Sequence, residues 1–324
     1  MRKLFVVILF CVLIISGCSI GSTGGTDKET YSIGIIQLVE HVALDSAREG
    51  FIDALKDNGY VDGQNITIDV QNAQGDQSNL STISDRFVSN KADLILGIAT
   101  PAVQSIAGKT SKIPILGTAV TDYVVAKLAD SNEAPGGNVS GTTDMNPVKE
   151  QIDLLVKLVP DAKTVGVLYN SSEDNSILQA KMAKEAVETI GLSYVEVTVT
   201  NTNEVQQATQ SIVDKCDAIY IPTDNTFASS MPVVHGVTSQ SKTPVICGES
   251  GMVKSGGLAT LGINYYDLGY QTGLMAIKIL KGEAEPSSMP IESASGFDFA
   301  INGKVADEIG IEIPDDLKEY IFYE

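Results

Sequence analysis

Short apolar runs rich in β-branched residues alternate along this chain with longer amphipathic stretches. The runs at 33–37, 66–70, 94–98, 113–116, 165–169, 194–199, 218–221 and 244–247 read as strands, and 44–58 and 177–190 are the clearest helices between them. Alternation of this kind predicts an α/β fold in which crossover helices join parallel strands. The order is written twice. Gly34 in a strand is followed by a helix ending at Gly59, and Gly166 in a strand by a helix ending at Gly191, at the same spacing. Further on, Asp93 opens a strand that ends at Thr100 and is followed by Lys112-Ile113-Pro114-Ile115; Asp217 opens one that ends at Asp224 and is followed by Lys242-Thr243-Pro244-Val245. Two similar doubly wound, Rossmann-like lobes are therefore expected, with a cleft between them.

In open α/β sheets ligands sit beyond the carboxyl ends of the strands, where helix N-termini present free N–H groups. Counted from the matched positions, His41 is equivalent to Glu173 and Thr100 to Asp224. These four residues should face one space.

The first residues have a different character. Arg2-Lys3, an apolar stretch over 4–15 and Ile15-Ser16-Gly17-Cys18 form the pattern of a lipoprotein signal peptide with a lipobox. A bilayer span needs about 20 apolar residues, and this run is shorter. The expectation is a signal peptide over 1–17, acyl lipid such as palmitate on Cys18, and a small-residue tether to residue 30. That places the domain at the cell membrane on its extracytoplasmic face. Of the four cysteines only Cys216 and Cys247 would remain in the domain, reading as small core residues and not as a disulfide framework or zinc site. Forty-one acidic residues against twenty-two basic ones exclude nucleic acid as a partner, because phosphate binding needs a basic surface.

Taken together, Gln37-Leu38-Val39-Glu40-His41, Gln71-Asn72-Ala73-Gln74-Gly75-Asp76, Ile98-Ala99-Thr100-Pro101-Ala102, Val120-Thr121-Asp122, Gly136-Gly137-Asn138-Val139-Ser140-Gly141, Asn170-Ser171-Ser172-Glu173-Asp174-Asn175-Ser176, Pro222-Thr223-Asp224-Asn225 and Tyr265-Tyr266-Asp267-Leu268-Gly269 resemble the ABC-transporter substrate-binding proteins of the tryptophan/tyrosine-type group. The resemblance covers nearly all of the chain after the tether. It implies a type I periplasmic-binding-protein architecture with three interlobe crossovers, near 142–146, 261–264 and 283–290. Lobe 1 would comprise 31–143 plus 263–285, and lobe 2 144–262 plus 286–324. It further implies a monomer that captures a small solute, with an aromatic amino acid as the first choice, and delivers it to an ABC permease with its ATPase. One position departs from the pattern: where similar proteins continue Thr121-Asp122 with proline, this chain has Tyr123, a candidate for stacking on the ligand or for covering the lobe.

A zwitterionic amino acid needs N–H and O–H donors for its carboxylate and carboxylates for its ammonium. Thr100, set before Pro101 at a helix start, and Asn175-Ser176 are the donor candidates, although Thr100 and Ser176 equally suit helix capping. Asp224 and then Glu249 are the candidates for the ammonium, since a cation would offset the cost of burying a carboxylate. Glu40 and His41 could close over the ligand, with His41 as readily a structural hydrogen-bonding residue. Thr121, Asp122, Asn170, Glu173, Asn225 and Asp267 complete the candidate set, Asp122 and Asp267 being as suited to fixing loops. Phe227 is a candidate aromatic wall but reads first as core.

Nothing suggests catalysis, a metal or a cofactor. His41 and His235 are the only histidines, and no HExxH or paired-cysteine pattern occurs. Gly108-Lys109-Thr110 lacks the earlier glycine of a phosphate-binding loop, Val103 standing there instead. The alternatives that stay open are a ligand sensor for a membrane receptor, and the same transport role with a nucleoside or sugar.

Overall fold

The computed structural model describes residues 30–323. The expected signal peptide, Cys18 and all but the last residue of the tether lie outside the described residues. In chain order the elements of the first lobe begin with β1 (Tyr31–Gln37), α1 (Val42–Asp57), β2 (Ile66–Asn72), α2 (Gln77–Ser89), β3 (Leu94–Ile98), α3 (Thr100–Ala107), β4 (Ile115–Val120) and β5 (Val139–Thr143). The second lobe follows with α4 (Val148–Leu158), β6 (Thr164–Asn170), α5 (Asp174–Thr189), β7 (Ser193–Val199), α6 (Val205–Val213), β8 (Ala218–Ile221), α7 (Asn225–Ser229), α8 (Met231–Ser241), β9 (Val245–Cys247), α9 (Ser250–Lys254) and β10 (Ala259–Gly262). The chain then returns to the first lobe with α10 (Tyr265–Leu280) and β11 (Glu292–Ser293), and ends in the second with β12 (Asp298–Asn302), α11 (Gly303–Ile309) and β13 (Ile321–Phe322).

Sheet order makes the sequence repeat physical. The first sheet runs β11-β5-β4-β3-β1-β2 and the second β13-β12-β10-β9-β8-β6-β7, so β2-β1-β3-β4-β5 of one lobe is matched by β7-β6-β8-β9-β10 of the other. Pairing is parallel throughout except where β12 runs antiparallel to β10, a pair that strand periodicity alone did not distinguish. The matched glycines have matched reasons. A Cβ at Gly34 would meet the ring of Phe87 on α2 at 2.8 Å, and one at Gly166 would meet Ile212 on α6 at 2.9 Å, so each glycine lets the equivalent helix press onto the first strand of its lobe. Gly59 and Gly191 close α1 and α5 with φ of +85° and +79°, a conformation that disfavours any side chain with a Cβ.

One boundary differs from the sequence reading. Residues 286–293 belong to the first lobe and not the second, because β11 pairs with β5 and because Met289 and Ile291 are buried in the first core. The third crossing therefore falls after Ser293 and before β12, while the first two lie after Thr143 and between Gly262 and Tyr265. Cys216 and Cys247 are both free, Cys247 within the second lobe's core.

Candidate ligand-binding site

In each lobe the sheet order reverses beside its first strand, and the crevice beyond β1 and β3 faces the crevice beyond β6 and β8. Between them lies a narrow cavity, whose empty space together with the solvent at its mouth is about 290 Å³. The first lobe contributes His41, Leu44, Ala119 and Thr121; the second contributes Asn175, Thr223, Asp224, Asn225, Ala228 and Glu249. Asp144 and Tyr265 enter from the first two crossings. Ala99 and Ala119, where β3 and β4 end, hold φ of +82° and +56°, the kind of backbone strain that a fold retains where a corner is built for use.

Capping chemistry positions the second lobe's carboxylates. Asp224 ends the β8 connection and accepts the N–H of Phe227 at 2.8 Å, capping α7, together with the N–H of Asn170 at 2.5 Å. Glu249 caps α9 through the N–H groups of Gly251 and Met252. Asp144 is held differently, by two hydroxyls: Thr121 donates to Oδ1 at 3.0 Å and Tyr265 to Oδ2 at 2.6 Å. Burial pushes all three acids up. Asp224 rises to about 7, Glu173 nearby adding to the effect, and Glu249 also rises to about 7 against the pull of its two backbone N–H donors. Asp144 is raised by burial and drawn back by Tyr265 and Thr121. Burial lowers His41 to about 4, which keeps its ring neutral. Among the described residues no lysine or arginine lines the cavity.

Buried polar atoms without a partner cluster here. His41 Nδ1, Thr100 Oγ1 and Asn175 Oδ1 are unpaired, and each such atom is costly unless something else bonds it. Two contacts near the cavity tie the lobes together: His41 Nε2 lies 3.3 Å from Asn225 Oδ1, and Gln179 donates to Thr121 Oγ1 at 3.3 Å.

Of the residues expected from the sequence, His41, Thr121, Asn175, Asp224, Asn225 and Glu249 are brought together on the cavity wall. Others stand just behind it. Glu173 is buried and accepts from Asn225 Nδ2 at 2.6 Å and Thr226 Oγ1 at 3.1 Å, so it orients Asn225. Ser176 is buried beside Asp224 and hydrogen-bonds its carboxylate. Thr100 is buried but is not among the wall residues, and Pro101 and Asn170 line an adjoining groove that also reaches Asn225.

Four expectations are corrected. Glu40 is exposed in the connection between β1 and α1 and is not among the wall residues. Tyr123 does not face the ligand: it is fully buried in the first core, its hydroxyl donating to the Gly117 carbonyl at 2.8 Å in a space that exists because Gly117 and Gly141 lack side chains. Asp122 folds back on its own turn and accepts the N–H groups of Val124 and Val125, both at 2.9 Å. Asp267 is exposed in the first turn of α10, where negative charge suits the helix N-terminus, and does not reach the cavity. Phe227 is core, as its first reading had it.

Leu44, Ala119, Asp144, Thr223, Ala228 and Tyr265 of the wall were missed. Asp144 fell inside a segment read only as a crossing, yet a crossing passes between the lobes by construction, and an acid there was the available signal.

Two α/β lobes closing on a polar cavity at the carboxyl ends of their strands define a type I solute-binding protein. Residues 32–322 match the family described as ABC transporter substrate binding protein, and the chain belongs to that family. It is similar to the tyrosine-binding protein of Clostridioides difficile, 44% identical over 299 residues that cover 90% of this chain and 86% of that one. It is also similar to a domain from Streptococcus pneumoniae solved in complex with L-Trp, at 40% identity and a TM-score of 0.87, covering 90% of this chain and 100% of that one. A ligand-free, open structure of a substrate-binding protein with adhesive properties from Clostridium difficile gives 47% identity but a TM-score of 0.69, with 91% and 99% covered. Higher identity with lower overlap points to lobe arrangement as the difference, and this chain's lobes are arranged as in the L-Trp complex. Membership makes the protein a solute-capturing component of an ABC transporter on the extracytoplasmic side of the membrane. No helix among the described residues is long and apolar enough to cross a membrane.

Proposed function

We propose that the protein captures a free aromatic amino acid, tyrosine or tryptophan, and delivers it to an ABC permease with its ATPase while tethered through lipid on Cys18. The observation that carries the ligand class is the convergence of Asp144, Asp224 and Glu249 on one cavity with no basic residue among the described residues of its wall. Uncompensated buried carboxylates are costly, and a ligand ammonium offsets that cost. The N-terminus of α5, which brings Asn175 to the cavity wall, presents N–H donors for the ligand carboxylate. Leu44, Ala119 and Ala228 supply apolar surface for the side chain. The likeness to a tyrosine-binding protein and to an L-Trp complex supports the aromatic choice.

A thermal-shift screen tests this reading. At a hundred times its dissociation constant a ligand adds about 2.7 kcal/mol, so tyrosine or tryptophan is expected to raise the Tm by about 5 °C or more. A shift with sugars or nucleosides and none with amino acids would overturn the assignment.

Acid should weaken capture. In the empty closed cavity Asp224 and Glu249 hold protons below about pH 7, and each must release its proton to pair with an ammonium. His41 acts in the same direction: neutral down to about 4 when enclosed, it must shed a proton on closure between about pH 4 and its ordinary value of about 6.5. Calorimetry at pH 7.5 and 5.5 is expected to show affinity lower by about tenfold or more at the acid end. Equal affinities would remove these groups from the binding equilibrium.

A further inference from the structure

Away from the cavity, a third side-chain contact joins the lobes. Gln104 sits in the second turn of α3, half-buried, and is not among the cavity wall residues. Its Nε2 carries two hydrogens and has two acceptors: the Ala126 carbonyl of its own lobe at 3.2 Å and Asp174 Oδ2 of the opposite lobe at 2.8 Å. The first acceptor is fixed, because Ala126 closes the turn that Asp122 pins by accepting the N–H groups of Val124 and Val125. So is the second, because Asp174 opens α5, where a negative charge is favoured. One amide is thus anchored to lobe 1 with its remaining N–H aimed at lobe 2, and separation of the lobes must break that bond.

We propose that Gln104 and Asp174 form a clasp: Gln104 is a positioning residue that holds the closed form and sets how long the ligand stays, without touching it. The inference rests on closure of the lobes and not on the identity of the ligand. A neutral amide facing an exposed carboxylate makes a modest bond, which suits a clasp that must open at every delivery.

Charge substitutions should move release in opposite directions. With L-tyrosine or L-tryptophan as probe, Gln104→Glu sets two carboxylates against each other and is expected to raise koff about tenfold, with kon within about twofold of the parent. Gln104→Lys creates an ion pair across the cleft and is expected to lower koff about two- to fivefold. Adding Asp174→Lys to Gln104→Glu should restore the parent value, an outcome that simple damage to α3 would not give. Release rates of all three variants within about twofold of the parent would overturn the clasp. Should neither amino acid bind the parent protein, the ligand assignment fails and the clasp is read by small-angle scattering. The Gln104→Lys protein should then have a smaller radius of gyration than Gln104→Glu, and equal radii would overturn it.

Discussion

Asp144→Asn is expected to weaken capture of the aromatic amino acid by about 2–4 kcal/mol, roughly 30- to 1,000-fold, while leaving the empty protein's Tm nearly unchanged. Asp144 is the cleanest of the three acids to test. Asp224 and Glu249 also cap helices, so their removal would mix lost binding with lost caps, whereas the side-chain partners of Asp144 are the hydroxyls of Thr121 and Tyr265. Asparagine keeps the volume, and both hydroxyls can rotate to meet it. What disappears is the negative charge at the point where the first crossing enters the cavity. Calorimetry on the parent and variant proteins reads the effect. A dissociation constant within about twofold of the parent would take Asp144 out of the ammonium site.

Gly269→Val should be the most damaging change outside the cavity. Helices α1 and α10 touch along a seam where Gly50, Gly269 and Gly273 carry no side chain, and a Cβ at Gly269 would overlap the carbonyl group of Ala47. Backbone cannot yield as a flexible side chain does, so the helices must separate and loosen the core that Leu44, Phe51 and Leu268 build between them and the first sheet. A loss of about 3 kcal/mol is expected, which lowers Tm by roughly 6–12 °C. Gly236→Ala is the matched control. Gly236 lies within α8, and a Cβ added there would meet nothing within 4 Å, so alanine should be neutral or stabilise by up to about 1 kcal/mol. Denaturation curves showing equal losses for the two variants would contradict the close helix approach.

Much of this architecture was legible because it is periodic or repeated. Strand and helix alternation gave the α/β class. The Gly34/Gly166 repeat gave the second lobe, and the rule about strand ends then brought His41 and Asp224 to one cavity, with Glu173 and Thr100 buried but off its wall, while the needs of a zwitterion added Asn175 and Glu249. What escaped depends on contacts that no period records. Tyr123 stood open between stacking on a ligand and covering the lobe, and what decides it is that Gly117 and Gly141, distant in sequence from each other, make room for its hydroxyl. Asp122 and Asp267 illustrate an ambiguity of residue type: a carboxylate after a strand or at a helix start serves a local turn or helix end as readily as a ligand. Strand β11 is two residues long, too short for a pattern, and so the third crossing was placed too early. Asp144 was overlooked for a simpler reason: a connecting segment was treated as a hinge only, although it also forms the floor of the cleft.

Recognition of an ammonium by acids, in a cavity whose described wall has no basic residue, is the central claim. Its most direct test is a calorimetric comparison, on protein refolded free of bound solute, between L-tyrosine and the same molecule lacking its amino group, 3-(4-hydroxyphenyl)propanoate. L-tyrosine is expected to bind and the deaminated acid to bind at least about 100-fold more weakly, since it would bring a further negative charge and leave Asp144, Asp224 and Glu249 unpaired. Equal affinities would contradict the account, because the ring and carboxylate would then be sufficient and the acids of the cleft would have no part in choosing the ligand.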